Sequence, residues 1–319
     1  MNYRIGITDF TYFLTRFHYK AIEDLDILDR AVGLGVGSVQ IDTRLRLPDG
    51  GVAHRRDVRE RAQKLGLRLV GSGGWLPEGK GFADLLAAGR EMGVDVIRFA
   101  TSVFRGRAKP PSVDTMIADL KAVAKAYEKA RVVLAIENHQ DFTSAEMAAI
   151  FQAVGSPNLG VCLDTGNSIA LLEDPVETAR TLAPYVRAMH LKEYVVWPAA
   201  GGFDLVCVGM GRGVVDHPAV VAALEKGATA ASLDVMIENP LERCAIPVLS
   251  PAVLAEFGGR TLASLGPVVK LMEESAKKLP KGLSLPQEAG LPPEQEMAVE
   301  ESVNREAVAY ARRLLGGGA

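Results

Sequence analysis

Eight short, almost continuously apolar segments recur along this chain, and an amphipathic stretch follows each of them. Strands that are apolar on both faces are typical of a parallel sheet buried beneath helices, because a half-exposed strand alternates polar and apolar residues. Eight such units, with no Gly-x-Gly-x-x-Gly loop after the first, favour a closed barrel over a doubly wound open sheet. The predicted strands are 3–7, 38–41, 67–71, 94–99, 132–136, 159–163, 188–191 and 233–237.

Helix signals between these segments support the alternation of strand and helix. Apolar residues recur at helical spacing through 20–34. Thr143 and Glu146 have the spacing of a capping box, in which each side chain accepts a hydrogen bond from a free backbone N–H. Asp174 is placed as an N-cap before Pro175 at the first helical position. The predicted fold class is therefore α/β, a (β/α)8 TIM barrel with a C-terminal helical extension.

The 319 residues divide unevenly between the barrel and this extension. We assign residues 1–279 to the barrel, because the eight strand–helix units are complete by that point. Residues 280–319 are predicted to form a proline-rich linker and then a helix over 294–315. An isolated helix of that length needs a surface to pack on, which is either its own barrel or a partner subunit.

Composition excludes several classes of function. Lys and Arg number 36 and Asp and Glu number 39, giving a net charge of -3, whereas a dedicated nucleic-acid binder is normally basic. The three cysteines have no CxxC spacing, which disfavours a disulfide framework and a structural zinc site. The sequence shows no apolar run of the roughly 18 residues that a membrane span needs, and no export signal. We therefore expect a cytoplasmic protein that binds neither nucleic acid nor membrane.

Polar residues stand where four successive predicted strands end. The residues are Glu137, Asp164, His190 and Glu238. Functional side chains of a TIM barrel lie at the carboxyl ends of its strands, so these four are expected to meet at one mouth. Three carboxylates in a buried mouth repel one another unless a cation is present. Three oxygen ligands and one imidazole suit Mn²⁺ first, with Mg²⁺, Co²⁺ or Zn²⁺ as alternatives.

Residues beside these ligands are candidates for catalysis and substrate binding. His139 faces the same way as Glu137 along the strand, so it is either a general base or hydrogen-bond donor to substrate, or a partner that orients Glu137. Lys192 either holds a substrate oxyanion or carboxylate, or offsets the carboxylate charge. Asn167 either binds a substrate hydroxyl or makes a turn.

Five further positions are weaker candidates for the same mouth. Arg98, near the end of the fourth strand, either reaches the substrate or supports Glu137. Trp75 is a candidate wall for a sugar ring, and Arg212 lies in a glycine-rich loop that can carry it toward the site. Arg16 and His18 follow the first strand, where they can cover the site.

These residues resemble the xylose-isomerase-like TIM barrels, a superfamily that includes sugar-phosphate isomerases and epimerases and the ketose 3-epimerases. The resemblance covers about residues 3–278, and the spacings of 27, 26 and 48 residues between the four ligands are part of it. The motifs that carry it are IENH at 136–139, LDTGN at 163–167, MHLKE at 189–193, GMGRG at 209–213 and IENP at 237–240.

The resemblance implies a divalent metal held by Glu137, Asp164, His190 and Glu238. It implies a carbohydrate substrate and a metal-stabilised enediolate next to a keto group, as in a sugar isomerase or epimerase. It also implies that Glu137 and Glu238 transfer protons on opposite faces of the substrate. A homo-oligomer, with a possible requirement for a second subunit, is the expected assembly.

Two departures from the ketose 3-epimerases keep a second reaction open. Those enzymes carry a substrate-binding histidine three residues after the metal-binding aspartate, where this chain has Asn167. His139 and the C-terminal extension instead resemble the lyase branches, namely the C-glycoside deglycosidases and the decarboxylases of 3-oxo sugar acids. A lyase acting on a 3-oxo sugar or sugar acid is therefore the alternative, and a non-catalytic sugar-binding protein is a third reading. Endonuclease IV shares the fold but needs more histidines than the five present here.

Overall fold

Eight parallel strands close into a barrel in this computed structural model, which describes residues 1–42, 51–74, 81–101, 110–256, 262–279 and 282–316. The barrel order is β1-β10-β7-β6-β5-β4-β3-β2, so the predicted barrel is confirmed. The strands in chain order are β1 (Asn2–Thr8), β2 (Ser38–Asp42), β3 (Arg68–Gly74), β4 (Val96–Ala100), β5 (Val133–Glu137), β6 (Leu159–Asp164), β7 (Val186–Leu191), β8 (Tyr194–Ala199), β9 (Gly202–Cys207), β10 (Ser232–Ile237) and β11 (Arg243–Ile246).

Helices surround the barrel, and their predicted start signals are present. Thr143 and Glu146 form the capping box, and the Asp174 side chain accepts hydrogen bonds from two backbone N–H groups. The first helix begins at Asp24 and not at residue 20, because Glu23 is its N-cap. The helices are α1 (Asp24–Leu34), α2 (Val52–Lys64), α3 (Gly81–Met92), α4 (Val113–Ala130), α5 (Ser144–Val154), α6 (Pro175–Leu182), α7 (His217–Gly227), α8 (Pro251–Glu256), α9 (Gly266–Lys278) and α10 (Pro293–Leu314). Across the described ranges, none of these is both long and apolar enough to cross a membrane.

The sequence analysis missed a small antiparallel sheet beside the barrel. Strands β8 and β9 form a hairpin after β7, and β11 pairs with β9. A search for buried parallel strands each followed by a helix does not detect such a hairpin, because both of its strands lie within one loop of the barrel.

A layer of small and medium side chains fills the barrel below its carboxyl end. Side chains alternate between the two faces of a strand, so the residue two positions further on also points inward. The four predicted ligands and Arg98 each stand two positions beyond a residue of this layer, which is why they meet above it. The layer consists of Val70, Val96, Ala135, Cys162, Ala188 and Met236.

An ion-pair cluster closes the opposite end of the barrel. The Asp234 carboxylate is buried and accepts hydrogen bonds from Arg4 Nε at 2.8 Å and Arg68 Nε at 3.1 Å. Burial raises the pKa of Asp234, but the hydrogen bonds from the two guanidinium groups outweigh it, so the pKa lies below its usual value. Arg68 also pairs with the exposed Asp95.

We predict that Asp234→Asn lowers the free energy of unfolding at pH 7 by about 3 kcal/mol, because it leaves two guanidinium groups without their buried carboxylate. The stabilisation by Asp234 is present above the usual aspartate pKa of about 4 and is lost as the pH falls through the lowered native value. The difference in the free energy of unfolding between wild type and variant therefore becomes smaller at acidic pH. Urea denaturation measures both effects. Asp95→Asn is the matched control, with a loss of about 1 kcal/mol or less. Equal losses for the two variants would contradict the prediction.

Candidate metal centre

Four predicted ligands converge at the carboxyl ends of neighbouring strands. Glu137 and Asp164 end β5 and β6, His190 lies in β7, and Glu238 follows β10. All four side chains are buried. Ligand atoms of Asp164, His190 and Glu238 lie within 4.8 Å of one another, and so do those of Glu137, Cys162 and His190.

The His190 ring faces two carboxylates with one nitrogen. Its Nδ1 lies 3.4 Å from Glu137 Oε2 and 3.2 Å from Glu238 Oε2. Its Nε2 lies 3.0 Å from Gln40 Oε1, an oxygen that can only accept, so the hydrogen-bond network assigns the proton to Nε2. Nδ1 has no hydrogen-bond partner among the described residues. Burial lowers the pKa of His190, but neighbouring groups, Glu137 and Glu238 among them, outweigh it and hold the pKa well above its usual value, so without a metal the ring is positively charged. A divalent cation at Nδ1 would replace that proton and balance the same two carboxylates.

The two carboxylate oxygens of Asp164 differ in their hydrogen bonding. Its Oδ1 accepts hydrogen bonds from the backbone N–H groups of Gly166 at 2.8 Å and Asn167 at 2.9 Å. Its Oδ2 is buried and has no hydrogen-bond partner in the described part of the chain. Burial raises the pKa of Asp164 to about 6. A buried and unsatisfied carboxylate oxygen facing an imidazole is a donor set that fits a divalent cation.

Glu137 is oriented by two side chains. Arg98 forms an ion pair with Oε2, and Asn167 Nδ2 donates to Oε1 at 2.9 Å. Burial raises the pKa of Glu137, but Arg98 and His190 outweigh it, so the pKa lies below its usual value. Asn167 is fully buried and is also within 3.3 Å of the Tyr194 hydroxyl. Arg98 and Asn167 therefore support Glu137 in this structure, and their predicted contacts with substrate stay a prediction.

Glu238 is paired with a buried lysine. Lys192 Nζ donates to Glu238 Oε1 at 2.8 Å, and it also lies 5.6 Å from the centre of the Tyr194 ring. Burial raises the pKa of Glu238, but Lys192 and His190 outweigh it and hold the pKa well below its usual value. Burial lowers the pKa of Lys192, but the charge of Glu238 outweighs it, so this pKa is well above its usual value. Lys192 is thus a fixed positive charge at the edge of the site.

The residues after Glu137 fall on two sides of the strand. The Asn138 side chain donates to the backbone carbonyl of Asp164 at 3.0 Å and accepts from its N–H at 2.8 Å, which fixes the end of β6. His139 is half-buried, and burial lowers its pKa to about 4. His139 is therefore neutral at physiological pH.

Three predicted residues make no ion pair or hydrogen bond with the four ligands in the described part of the chain. Arg212 has 58% of its side chain exposed and pairs with Glu306 of α10 at 2.6 Å. Arg16 pairs with Asp9 and Asp24, and His18 is exposed. Trp75 lies outside the described residues.

Gln40 and Cys162 are site residues that the sequence analysis missed. Gln40 was detectable as a polar residue inside an apolar strand, but its partner His190 is 150 positions away. Cys162 lies in the inner layer directly below Asp164 on the same face of β6. Burial raises its pKa, which keeps it a neutral thiol.

A closed parallel barrel with carboxylates and a histidine at the carboxyl ends of its strands defines a class of protein that can hold a divalent cation and a small polar ligand. The chain belongs to the family of xylose isomerase-like TIM barrels, whose model matches residues 28–243.

Several proteins are similar to this chain. A 3-oxo-isoapionate decarboxylase of Pectobacterium atrosepticum is 28% identical over 197 residues, which are 61% of this chain and 70% of that protein. D-psicose 3-epimerase, solved in the presence of D-fructose, has a TM-score of 0.64 at 16% identity and covers 98% of this chain and 100% of its own. IOLI protein, solved with a binding zinc atom, has a TM-score of 0.57 at 16% identity over 85% of this chain and 99% of its own. At these identities the two solved structures share the fold.

We predict that Gln40→Met weakens divalent-metal binding by about 10–100-fold, because His190 loses the acceptor that fixes its tautomer and ring orientation. Methionine keeps the length of the side chain but offers no strong acceptor. Isothermal titration with Mn²⁺ measures the change. Gln152→Met on the exposed face of α5 is the matched control. Unchanged affinity in Gln40→Met would show that Gln40 does not orient a metal ligand.

Proposed function

We propose that this protein is a divalent-metal-dependent carbohydrate enzyme of the sugar isomerase or epimerase type, acting at a carbon next to a keto group. The observation that carries the proposal is the convergence of four buried side chains that can bind a metal, among which Asp164 Oδ2 and His190 Nδ1 have no hydrogen-bond partner within the described ranges. Membership of the xylose isomerase-like barrels and the shared fold with D-psicose 3-epimerase support it.

Glu137, Asp164, His190 and Glu238 would hold the metal, with Mn²⁺ as our first choice. The fold shared with a zinc-containing IOLI protein supports a divalent cation at this mouth. When bound, such a cation supplies electrostatic stabilisation of the negative charge that develops on substrate oxygens.

The two glutamates are proposed to move protons. Glu137 is held by Arg98 and Asn167, and Glu238 is held by Lys192 on the other side of His190. Each carboxylate has a pKa lowered by a neighbouring cation, so each is ionised before substrate arrives. One carboxylate would remove the proton next to the keto group, and the other would return a proton to the opposite face.

A lyase acting on a 3-oxo sugar acid is the second candidate, and the 28% identity to a 3-oxo-isoapionate decarboxylase favours it. Loss of CO₂ leaves the electron pair of the broken C–C bond on the carbon next to the keto group, from which it passes to the keto oxygen. A proton then completes the product. Lys192 and Arg98 are the buried cations suited to a substrate carboxylate, and His139 is the added side chain beside Glu137.

Proton NMR of the Mn²⁺-loaded protein in D₂O tests both reactions with ketoses, 3-oxo sugars and 3-oxo sugar acids. An isomerase or epimerase incorporates deuterium next to the keto group and keeps every carbon of the substrate, whereas a lyase releases CO₂ or an aglycone. We expect Glu238→Gln to lower metal content and to reduce turnover by about 10²–10⁴-fold. Glu273→Gln, at an exposed position of α9, is the control. Wild type that binds no metal after reconstitution would overturn the proposal, and sugar binding without turnover would favour the binding-protein reading.

We predict that His139→Ala reduces turnover by at least about 100-fold while metal content stays within about twofold, if His139 acts on the substrate. Metal analysis and steady-state rates on the same preparations give both values. His54→Ala on α2 is the control, since His54 pairs with Asp24 outside the site. Equal loss of metal and turnover would make His139 a partner of Glu137 instead.

A further inference from the structure

Helix α10 docks on the barrel with polar as well as apolar side chains. Glu296, Glu300 and Asn304 are all buried, with exposures of 4%, 0% and 0%. They stand four residues apart, so they lie on one stripe of the helix. Burial of carboxylate and amide groups is unfavourable unless each is hydrogen-bonded, so these three side chains require specific partners.

The partners lie in one segment, residues 9–19, which we call the first loop because it follows β1. Asn304 Nδ2 donates to the Thr11 carbonyl at 2.8 Å. The Tyr19 hydroxyl donates to Glu296 at 2.6 Å. The stripe and the first loop run in opposite directions.

Glu300 makes the central contacts of this ladder. Its Oε1 accepts from the Leu14 N–H at 2.7 Å. Its Oε2 accepts from the Thr15 N–H at 3.1 Å and from the Thr15 hydroxyl at 2.6 Å. These donors belong to the turn Phe13–His18, whose backbone winds as a π-helix. Because π-helical turns are rarely stable alone, the carboxylate compensates for an unfavourable backbone conformation.

The first loop and α10 also contact the segment that carries a metal ligand. The Thr11 hydroxyl donates to the Ile237 carbonyl at 2.5 Å, and Ile237 immediately precedes Glu238. On the other side of Glu238, Asn239 Nδ2 lies 3.4 Å from Asn304 Oδ1. The two residues that flank Glu238 are therefore tied to the same helix–loop contact, Ile237 through its backbone carbonyl and Asn239 through its side chain.

The first loop also carries a cluster of aromatic side chains. Phe10, Phe13 and Phe17 are half-buried and cluster there, with ring centres 4.9 to 6.3 Å apart. The loop that α10 contacts through polar groups therefore also holds three clustered phenylalanine rings.

We infer that α10 positions the active site: Glu300 holds the first loop in its π-helical turn, and Asn304 connects that loop to the side chain of Asn239, the residue after Glu238. Both are positioning residues, since neither contacts the ligand atoms of the metal centre. The inference does not depend on which carbohydrate reaction the site performs.

Hydrogen–deuterium exchange of the full-length protein tests the role of Glu300. In Glu300→Gln an amide N–H₂ replaces one acceptor oxygen, so part of the three-donor contact is lost while the side-chain volume is kept. We expect exchange within residues 9–19 to become about tenfold faster, with α7 and the other helices unchanged. Glu306→Gln, which changes an exposed glutamate of α10, should leave exchange as in wild type. Unchanged exchange in 9–19, or an equal increase throughout the chain, would overturn the inference.

Thr15→Val tests the same contact from the loop side, because it removes one donor and keeps the side-chain shape. We expect a smaller increase in exchange, again confined to residues 9–19. Asn304→Ala should in addition weaken Mn²⁺ binding several-fold, measured by titration calorimetry, whereas Glu306→Gln should not. If wild type binds no metal, the proposed function fails and the exchange measurement still decides the role of the helix.

Discussion

The carboxylates of Glu137, Asp164 and Glu238 lie buried at one end of the barrel, and the surrounding structure has to offset their mutual repulsion. Arg98 and Lys192 supply two positive charges, each paired with one glutamate. These five side chains together carry a net charge of −1, and a divalent cation would change it to +1. Asp164, which has neither cation as a direct partner, keeps the open oxygen. The proposed roles, with the two glutamates as bases and the aspartate as a metal ligand, rest on this difference in pairing.

The fold and the meeting of the four predicted ligands follow from the alternation of side chains along each strand, which the sequence displays directly. Alternation along each strand places Glu137 above Ala135, Asp164 above Cys162 and His190 above Ala188, so reading strand ends was enough to bring the ligands together. The barrel and its family are confirmed by the closed sheet and by the match over residues 28–243. Helix starts were equally accessible, because a capping box such as that of Thr143 is a local pattern.

Features that depend on distant contacts were not accessible from the sequence. Gln40 reaches His190 across 150 positions, and no local pattern reveals that pairing. The β8–β9 hairpin lies inside a barrel loop, where the strand–helix repeat gives no reason to expect strands. The glycine-rich loop suggested an Arg212 aimed at the mouth, but the structure has it paired with Glu306 on α10. Whether Asn167 touches substrate or only Glu137 depends on how a ligand sits, which a residue pattern does not specify.

The contact between α10 and the first loop has a consequence for the order in which the molecule is made. Glu300 and Thr15 are 285 positions apart, so this is among the longest loops that the chain closes. A ribosome releases residues 9–19 before residues 293–314, and the barrel strands and all four predicted metal ligands emerge in between. Until α10 emerges, residues 9–19 therefore lack the carboxylate that shapes them. The mouth of the barrel is completed only then, when the sheet beneath it can already have closed.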